Sequence, residues 1–297
     1  MTSAPSFEQL LAQVSEQLKT LPDKPEETPE ATLRALWHTA AGLPKSPDLA
    51  QSAPLPQLAA EQYEALRQLI ARRLAGIPLA HLTQRQSFLG LEMLTGPGAL
   101  IPRKETELLA RTAIRLLQEK VDAEPCVIDV CTGSGNVAIA IASRVPRAHV
   151  YAADLSTDAV ELARSNARHL GMHERVDFRS GDLLTPFDSA NFRGSVDLVT
   201  CNPPYIASAN VERMANEIAE HEPRLAFDGG PFGISILMRL MREAPRYLRP
   251  SGWLAFEVGL DQGPALLRLL SKRADFLRTE GISDAQGAVR VITAQRR

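Results

Sequence analysis

Residues 202–205 read Asn-Pro-Pro-Tyr, directly after the apolar run "SVDLVTC". Proline cannot donate to a sheet ladder, so a strand must stop here. Asn202 can offer a side-chain oxygen and Pro203 a backbone carbonyl, two acceptors suited to one NH2 group. Pro204 stiffens the segment, and Tyr205 can cover the flat face of the same group by stacking. A planar amide or aryl amine has a delocalised lone pair and is a poor nucleophile. Acceptors that grip its hydrogens turn the nitrogen toward an electrophilic carbon, a gain of position and electrostatics. A methyl sulfonium is such an electrophile and needs neither a metal nor a covalent enzyme intermediate. The methylated nitrogen sheds its proton readily, so a dedicated base is not required. Asn202, Pro203 and Tyr205 are therefore the candidate catalytic residues. The motif points to methyl transfer to nitrogen more sharply than to any one nitrogen; the alternative is a loop that only ends a strand.

A second motif lies upstream. "VIDVCTGSGNVAIAIA", residues 127–142, reads as strand, glycine turn and helix. Gly133 and Gly135 allow a sharp turn and close approach of the backbone to a ligand, and the following helix presents its N-terminal N–H groups. The spacing is neither G-x-G-x-x-G nor a P-loop. Asp129 ends the strand, and Thr132 stands in the turn. The next strand ends at Asp154 and Leu155, where a carboxylate can accept both ribose hydroxyls, although Asp154 also neighbours a helix start that Ser156 can cap. A third strand end carries Asp182 and Leu183, suited to an adenine amino group and ring; taken alone, Asp182 reads as a turn residue, and its value as a ligand comes from its position at the same sheet edge.

These positions require strands whose carboxyl ends meet at one edge. From residue 104 onward, helical and apolar strand patterns alternate: "ETELLARTAIRLLQEK", "PCVIDVC", "NVAIAIASRV", "HVYAADL", "STDAVELARSNARHLG", "VDFRSGDL", "SVDLVTCN", "GISILMRLMREAPRYLRP" and "GWLAFEVG", with "FLRTEGISDAQGAVRVITAQ" as a closing strand pair. That order predicts an α/β fold with a doubly wound, parallel sheet. Residues 1–85 lack strand alternation and predict a small helical domain. Thr28 and Pro29 open one helix there, and Ala59, Tyr63, Leu66, Ile70 and Leu74 share a face of another. Residues 86–103, broken by Gly90, Gly96, Pro97 and Gly98, predict a β-hairpin bridge to the domain spanning 104–297.

Composition narrows the partners. A net charge of -2 lacks the basic footprint of a dedicated nucleic-acid binder. Three scattered cysteines, Cys126, Cys131 and Cys201, argue against a disulfide framework and against a metal site. No apolar stretch is long enough for a membrane span, and the first residues lack a secretory leader, so a cytoplasmic location is expected. Cys131 reads as a packing residue, and Glu257 and His221 as structural groups near the site. A small-molecule N-methyltransferase, adenine N6 methylation and a cofactor-binding regulator without turnover are the competing functions.

The ordered set "GIPLAHLT", "LIPRKETELL", "DVCTGSG", "ADLS", "NPPYI", "EHEPRLAFDGG" and "FEVGLDQG" resembles the HemK family. These are S-adenosylmethionine-dependent protein-(glutamine-N5) methyltransferases of the class I, Rossmann-like fold, acting on release factors or a ribosomal protein. The resemblance implies a seven-stranded sheet under an N-terminal helical domain. It implies S-adenosylmethionine at Asp129, Thr132, Gly133, Gly135, Asp154, Leu155, Asp182, Leu183 and Asn202. It also implies a protein glutamine at Asn202, Pro203, Pro204 and Tyr205, with Arg103 shaping the entrance. Cys131 and "FEVG" resemble the ribosomal-protein branch, whereas "IPRKETELL" resembles the release-factor branch with Lys104 in place of a proline.

Overall fold

The computed structural model describes residues 5–21, 24–118, 124–211 and 221–297. It opens with helices α1 (Phe7–Gln17), α2 (Pro29–Ala40), α3 (Pro47–Ser52), α4 (Ala60–Leu74) and α5 (Leu79–Thr83). Ser6 caps α1 through a reciprocal box with Gln9, and the Thr28 hydroxyl accepts from the Ala31 N–H at the head of α2. The helices close on their own apolar cluster around Leu33, Leu36, Leu66, Ile70 and Leu79. Trp37 anchors it, with edge contacts to Phe7 and Tyr63 and its indole N–H donated to the Pro56 carbonyl at 2.9 Å. Of the face expected on α4, Leu66 and Ile70 are buried, Tyr63 and Leu74 pack at the margin, and Ala59 is the exposed N-cap.

A hairpin follows, β1 (Arg85–Phe88) against β2 (Leu91–Leu94). Its two turn residues, Leu89 and Gly90, both have positive φ, the backbone that matches the twist of paired strands. The Leu89 N–H is held at 3.0 Å by the Glu107 carboxylate at the start of α6 (Glu107–Gln118).

The sheet contains β3 (Cys126–Val130), β4 (His149–Asp154), β5 (Val176–Ser180), β6 (Val196–Cys201), β7 (Leu248–Glu257), β8 (Phe276–Ser283) and β9 (Val289–Arg296). Its order is β5-β4-β3-β6-β7-β9-β8, with β9 antiparallel to both neighbours and the remaining pairs parallel. Helices α6, α7 (Asn136–Arg144) and α8 (Thr157–His169) pack on one face with Val127 and Leu198. Helices α10 (Ser235–Glu243) and α11 (Gly263–Ser271) cover the other with Ile128, Val130 and Val199; the short α9 (Ser208–Val211) follows the Pro-Pro segment. Strands β4 and β6 flank β3 on opposite sides, which makes the β3 tip the topological switch point where such sheets bind ligands. Among the described residues no helix is long and apolar enough to cross a membrane.

Two elements differ from the sequence expectation. The helix expected to run to residue 250 stops at Glu243, because Pro245 supplies no N–H and its ring disfavours helix before it; β7 then begins at Leu248. Helix α11, opened by Gly263 and Pro264, occupies a stretch assigned no element. Part of the helix expected at 105–120 lies outside the described residues.

One side chain ties the hairpin to the sheet. Asn166 of α8 is fully buried; its Nδ2 donates to the Leu94 and Ser134 carbonyls at 3.1 and 3.0 Å, and its Oδ1 accepts from the Leu94 N–H at 2.6 Å. Replacing it by leucine takes the side-chain partner from three backbone groups, the Ser134 carbonyl among them buried. Asn166→Leu is expected to lower the unfolding free energy by about 2–4 kcal/mol, measured by urea denaturation.

Candidate active site

The turn after β3 is built from residues that tolerate unusual backbone. Cys131, Gly133 and Gly135 have φ of 56°, 54° and 81°. A Cβ on Gly135 would meet Ala163 and Phe178 at 3.0–3.1 Å, whereas one on Gly133 would project into open space. Asp129 is buried beneath the turn. Its two oxygens accept from the Thr132 and Thr200 hydroxyls at 2.6 and 2.7 Å, locking the turn to β3 and β6. Burial pushes its carboxyl up to about 6, against the pull of those two hydroxyls.

Asp154 sits at the tip of β4 and accepts from the Gly133 N–H at 2.8 Å and the Ser156 N–H at 2.9 Å. Burial raises its pKa, opposed by these N–H groups. Ser156 itself caps α8, so the carboxylate is left to bridge the turn. Asp129, Thr132, Gly133, Asp154, Leu155 and Leu183 line one cleft, together with Gly98, Ala99, Leu100, Pro102, Arg103, Val137, Pro223, Leu225, Ala226 and Ile236. Gly135 and Asp182 do not line it: Gly135 packs behind the turn, and Asp182 turns away into a two-pronged pair with Arg239 at 2.9 and 3.2 Å.

A second cavity adjoins the first. Leu100, Arg103, Thr106, Asn202 and Ala226 wall both, and Glu105, Pro203, Tyr205 and Glu257 belong to the second; Pro204 lines the first. Asn202 donates its Nδ2 to Thr106 Oγ1 at 3.1 Å, and its Oδ1 is buried with no hydrogen-bond partner. Tyr205 donates its hydroxyl to Glu257 Oε1 at 3.3 Å and accepts from Arg290 at 3.4 Å, while the guanidinium lies 6.0 Å from the ring centre. Burial and the neighbouring Glu257 raise the phenol's pKa. Burial likewise pushes Glu257 up to about 7, opposed by the Thr106 hydroxyl and the Arg290 cation.

Arg103 reaches the site through an ion pair with Glu222 at 2.5 Å, and the same carboxylate accepts the Ile101 N–H at 2.9 Å. His221 lines neither cavity; Glu222 beside it is the buried clamp. Sequence reasoning missed Thr106 and Arg290, each recruited from far along the chain. Cys131 lines the first cleft.

The donor set fits a sulfonium nucleoside: an anionic carboxylate at a strand tip, an open glycine face, apolar walls and an orphaned acceptor toward the second cavity. Sheet order, turn and motif together define a class I S-adenosylmethionine-dependent methyltransferase. Residues 127–222 match the methyltransferase domain family, and residues 9–83 match the PrmC N-terminal domain. The chain is 38% identical over 229 residues to a release factor glutamine methyltransferase of Streptomyces coelicolor, covering 77% of this chain and 79% of that protein. It is 34% identical over 271 residues to one from Bradyrhizobium diazoefficiens, covering 91% and 89%. The chain belongs to the release factor glutamine methyltransferase family. Among solved structures, the catalytic domain of hMettl16 in complex with an RNA hairpin shares the fold, at TM-score 0.53 and 14% identity over 76% of this chain and 81% of that one.

Glu257 makes a pH prediction. Its folded pKa of about 7 exceeds the ordinary 4.5, so the folded state binds more protons than the unfolded state between these values. Its contribution is therefore fully present at low pH and fades as pH rises through that window. Urea denaturation across it is expected to show Glu257→Gln gaining stability relative to the wild type as pH rises.

Proposed function

We propose that this chain transfers a methyl group from S-adenosylmethionine to the side-chain amide nitrogen of a glutamine in a protein, a peptide chain release factor in the first place and a ribosomal protein in the second. The reading rests above all on the orphaned Asn202 Oδ1 on the wall common to both cavities. The bound cofactor supplies the electrophilic methyl carbon.

The residues of the chain do the positioning. Thr106 fixes the Asn202 amide so that its oxygen faces the cavity. Asn202 Oδ1 and the Pro203 carbonyl accept from the glutamine NH2, which holds the nitrogen for in-line attack. Tyr205, held by Glu257 and Arg290, covers the planar group. Asp154 holds the ribose. Arg103, paired with Glu222, shapes the entrance. The helical residues 1–85 recognise the partner, the hairpin 86–103 bridges, and residues 104–297 carry the chemistry. A translation substrate puts the reaction in the cytoplasm.

Incubating the protein with labelled cofactor, purified release factors and ribosomal proteins is expected to place label on one glutamine, located by peptide mass spectrometry. Absence of label from every glutamine would overturn the reading. Asn202→Ala is expected to cut turnover by about 10²-fold or more while cofactor affinity stays nearly unchanged, measured by calorimetry with S-adenosylhomocysteine. A large loss of cofactor affinity would place Asn202 with the cofactor instead.

A further inference from the structure

Gln262 stands at the N-cap of α11, yet its side chain makes no capping bond there. Asp261 before it has a left-handed backbone, φ 68°, and the Gln262 N–H closes a turn on the Gly259 carbonyl at 3.2 Å. The side-chain amide reaches instead to the far end of the Asn-Pro-Pro-Tyr segment. Its Nε2 donates to the Tyr205 carbonyl at 2.9 Å and to the Gly233 carbonyl at 3.4 Å, and its Oε1 accepts the Gly259 N–H at 3.0 Å. Three segments distant in sequence therefore meet on one amide, and each of its atoms has a matching partner.

The packing around this amide leaves no slack. A Cβ on Gly233 would lie 2.2 Å from the Tyr205 carbonyl oxygen, and one on Gly259 would lie 3.0 Å from Cδ2 of the Tyr205 ring. A Cβ on Gly229 would lie 2.6 Å from the Pro204 carbonyl oxygen. Backbone presses directly on both residues that end the motif, an approach open only to glycine. Tyr205 is thus held at two ends, its hydroxyl by Glu257 and Arg290 and its peptide by Gln262. Gln262 itself lines neither cavity.

We propose that Gln262 is a positioning residue for methyl transfer: by tying the Tyr205 peptide to the backbone at Gly233 and Gly259, it sets the ring over the acceptor nitrogen without touching the substrate. The inference rests on the acceptor role given to Tyr205 above. A small displacement of a positioning group is costly in rate, because the reacting nitrogen must stay aligned with the methyl carbon.

The test uses Gln262→Glu in the full-length protein, a change that keeps the shape and removes both donors. Its kcat on the acceptor protein is expected to fall about tenfold, with KM and S-adenosylhomocysteine affinity within about twofold of the wild type. In a Tyr205→Leu background the same change is expected to cost less than about twofold, because the ring it serves is gone. Fluorine NMR supplies a readout without turnover. With the four tyrosines replaced by 3-fluorotyrosine, the Tyr205 signal is identified by its loss in Tyr205→Leu, and Gln262→Glu is expected to move or broaden it more than the other three. Where Gln262→Glu does not fold, Gln262→Met, neutral and of similar length, takes its place in each measurement. Equal losses of kcat in both backgrounds, or a Tyr205 signal that stays where it was, would overturn the proposal. A wild type that methylates no glutamine, while the Tyr205 signal still responds to Gln262→Glu, would sink the glutamine reading and leave the anchoring of Tyr205 standing.

Discussion

The hydrogen bond from Asn202 Nδ2 to Thr106 Oγ1, whose own hydrogen is directed to the Glu257 carboxyl, decides which end of the amide looks into the cavity. An asparagine amide can present oxygen or nitrogen, and the two choices make opposite sites. Thr106 belongs to the segment before α6, and Asn202 to the tip of β6, so the choice is made by tertiary packing. The two prolines after Asn202 then prevent the strand from continuing across the opening. What is left is an oxygen that nothing in the protein satisfies, placed between two cavities.

The first cleft depends on a related economy of partners. Asp129 borders the cleft, but its two oxygens are taken by the Thr132 and Thr200 hydroxyls, which holds the turn in place. Asp154 does two things with one group: it receives the Gly133 and Ser156 N–H groups, and it still borders the cleft. Sheet topology brings these pieces together, since β4 and β6 lie on opposite sides of β3 and their tips open the crevice between them.

Much of this was legible in the sequence because it is local. Apolar runs ended by Gly133–Gly135 and by Pro203–Pro204 mark where strands stop, and their alternation with helical patterns indicates a doubly wound sheet. Long-range pairing was not legible. Arg103 and Glu222 are 119 residues apart, and Thr106 and Asn202 are 96 apart, so no window of sequence contains either pair. The aspartate at 182 shows the same limit: its carboxylate meets Arg239 of α10, 57 residues away, at 2.9 Å. Helix α11 was missed because its Gly-Pro start reads as a break, although Pro264 in a first turn is compatible with a helix.

The Asn166 side chain has a mechanical meaning. It grips the backbone of Leu94 at the hairpin's end and of Ser134 in the nucleotide turn at once. The two segments are thereby coupled like links on one rivet, without any shared ligand. Neither segment can shift against the other without breaking bonds to this one buried amide.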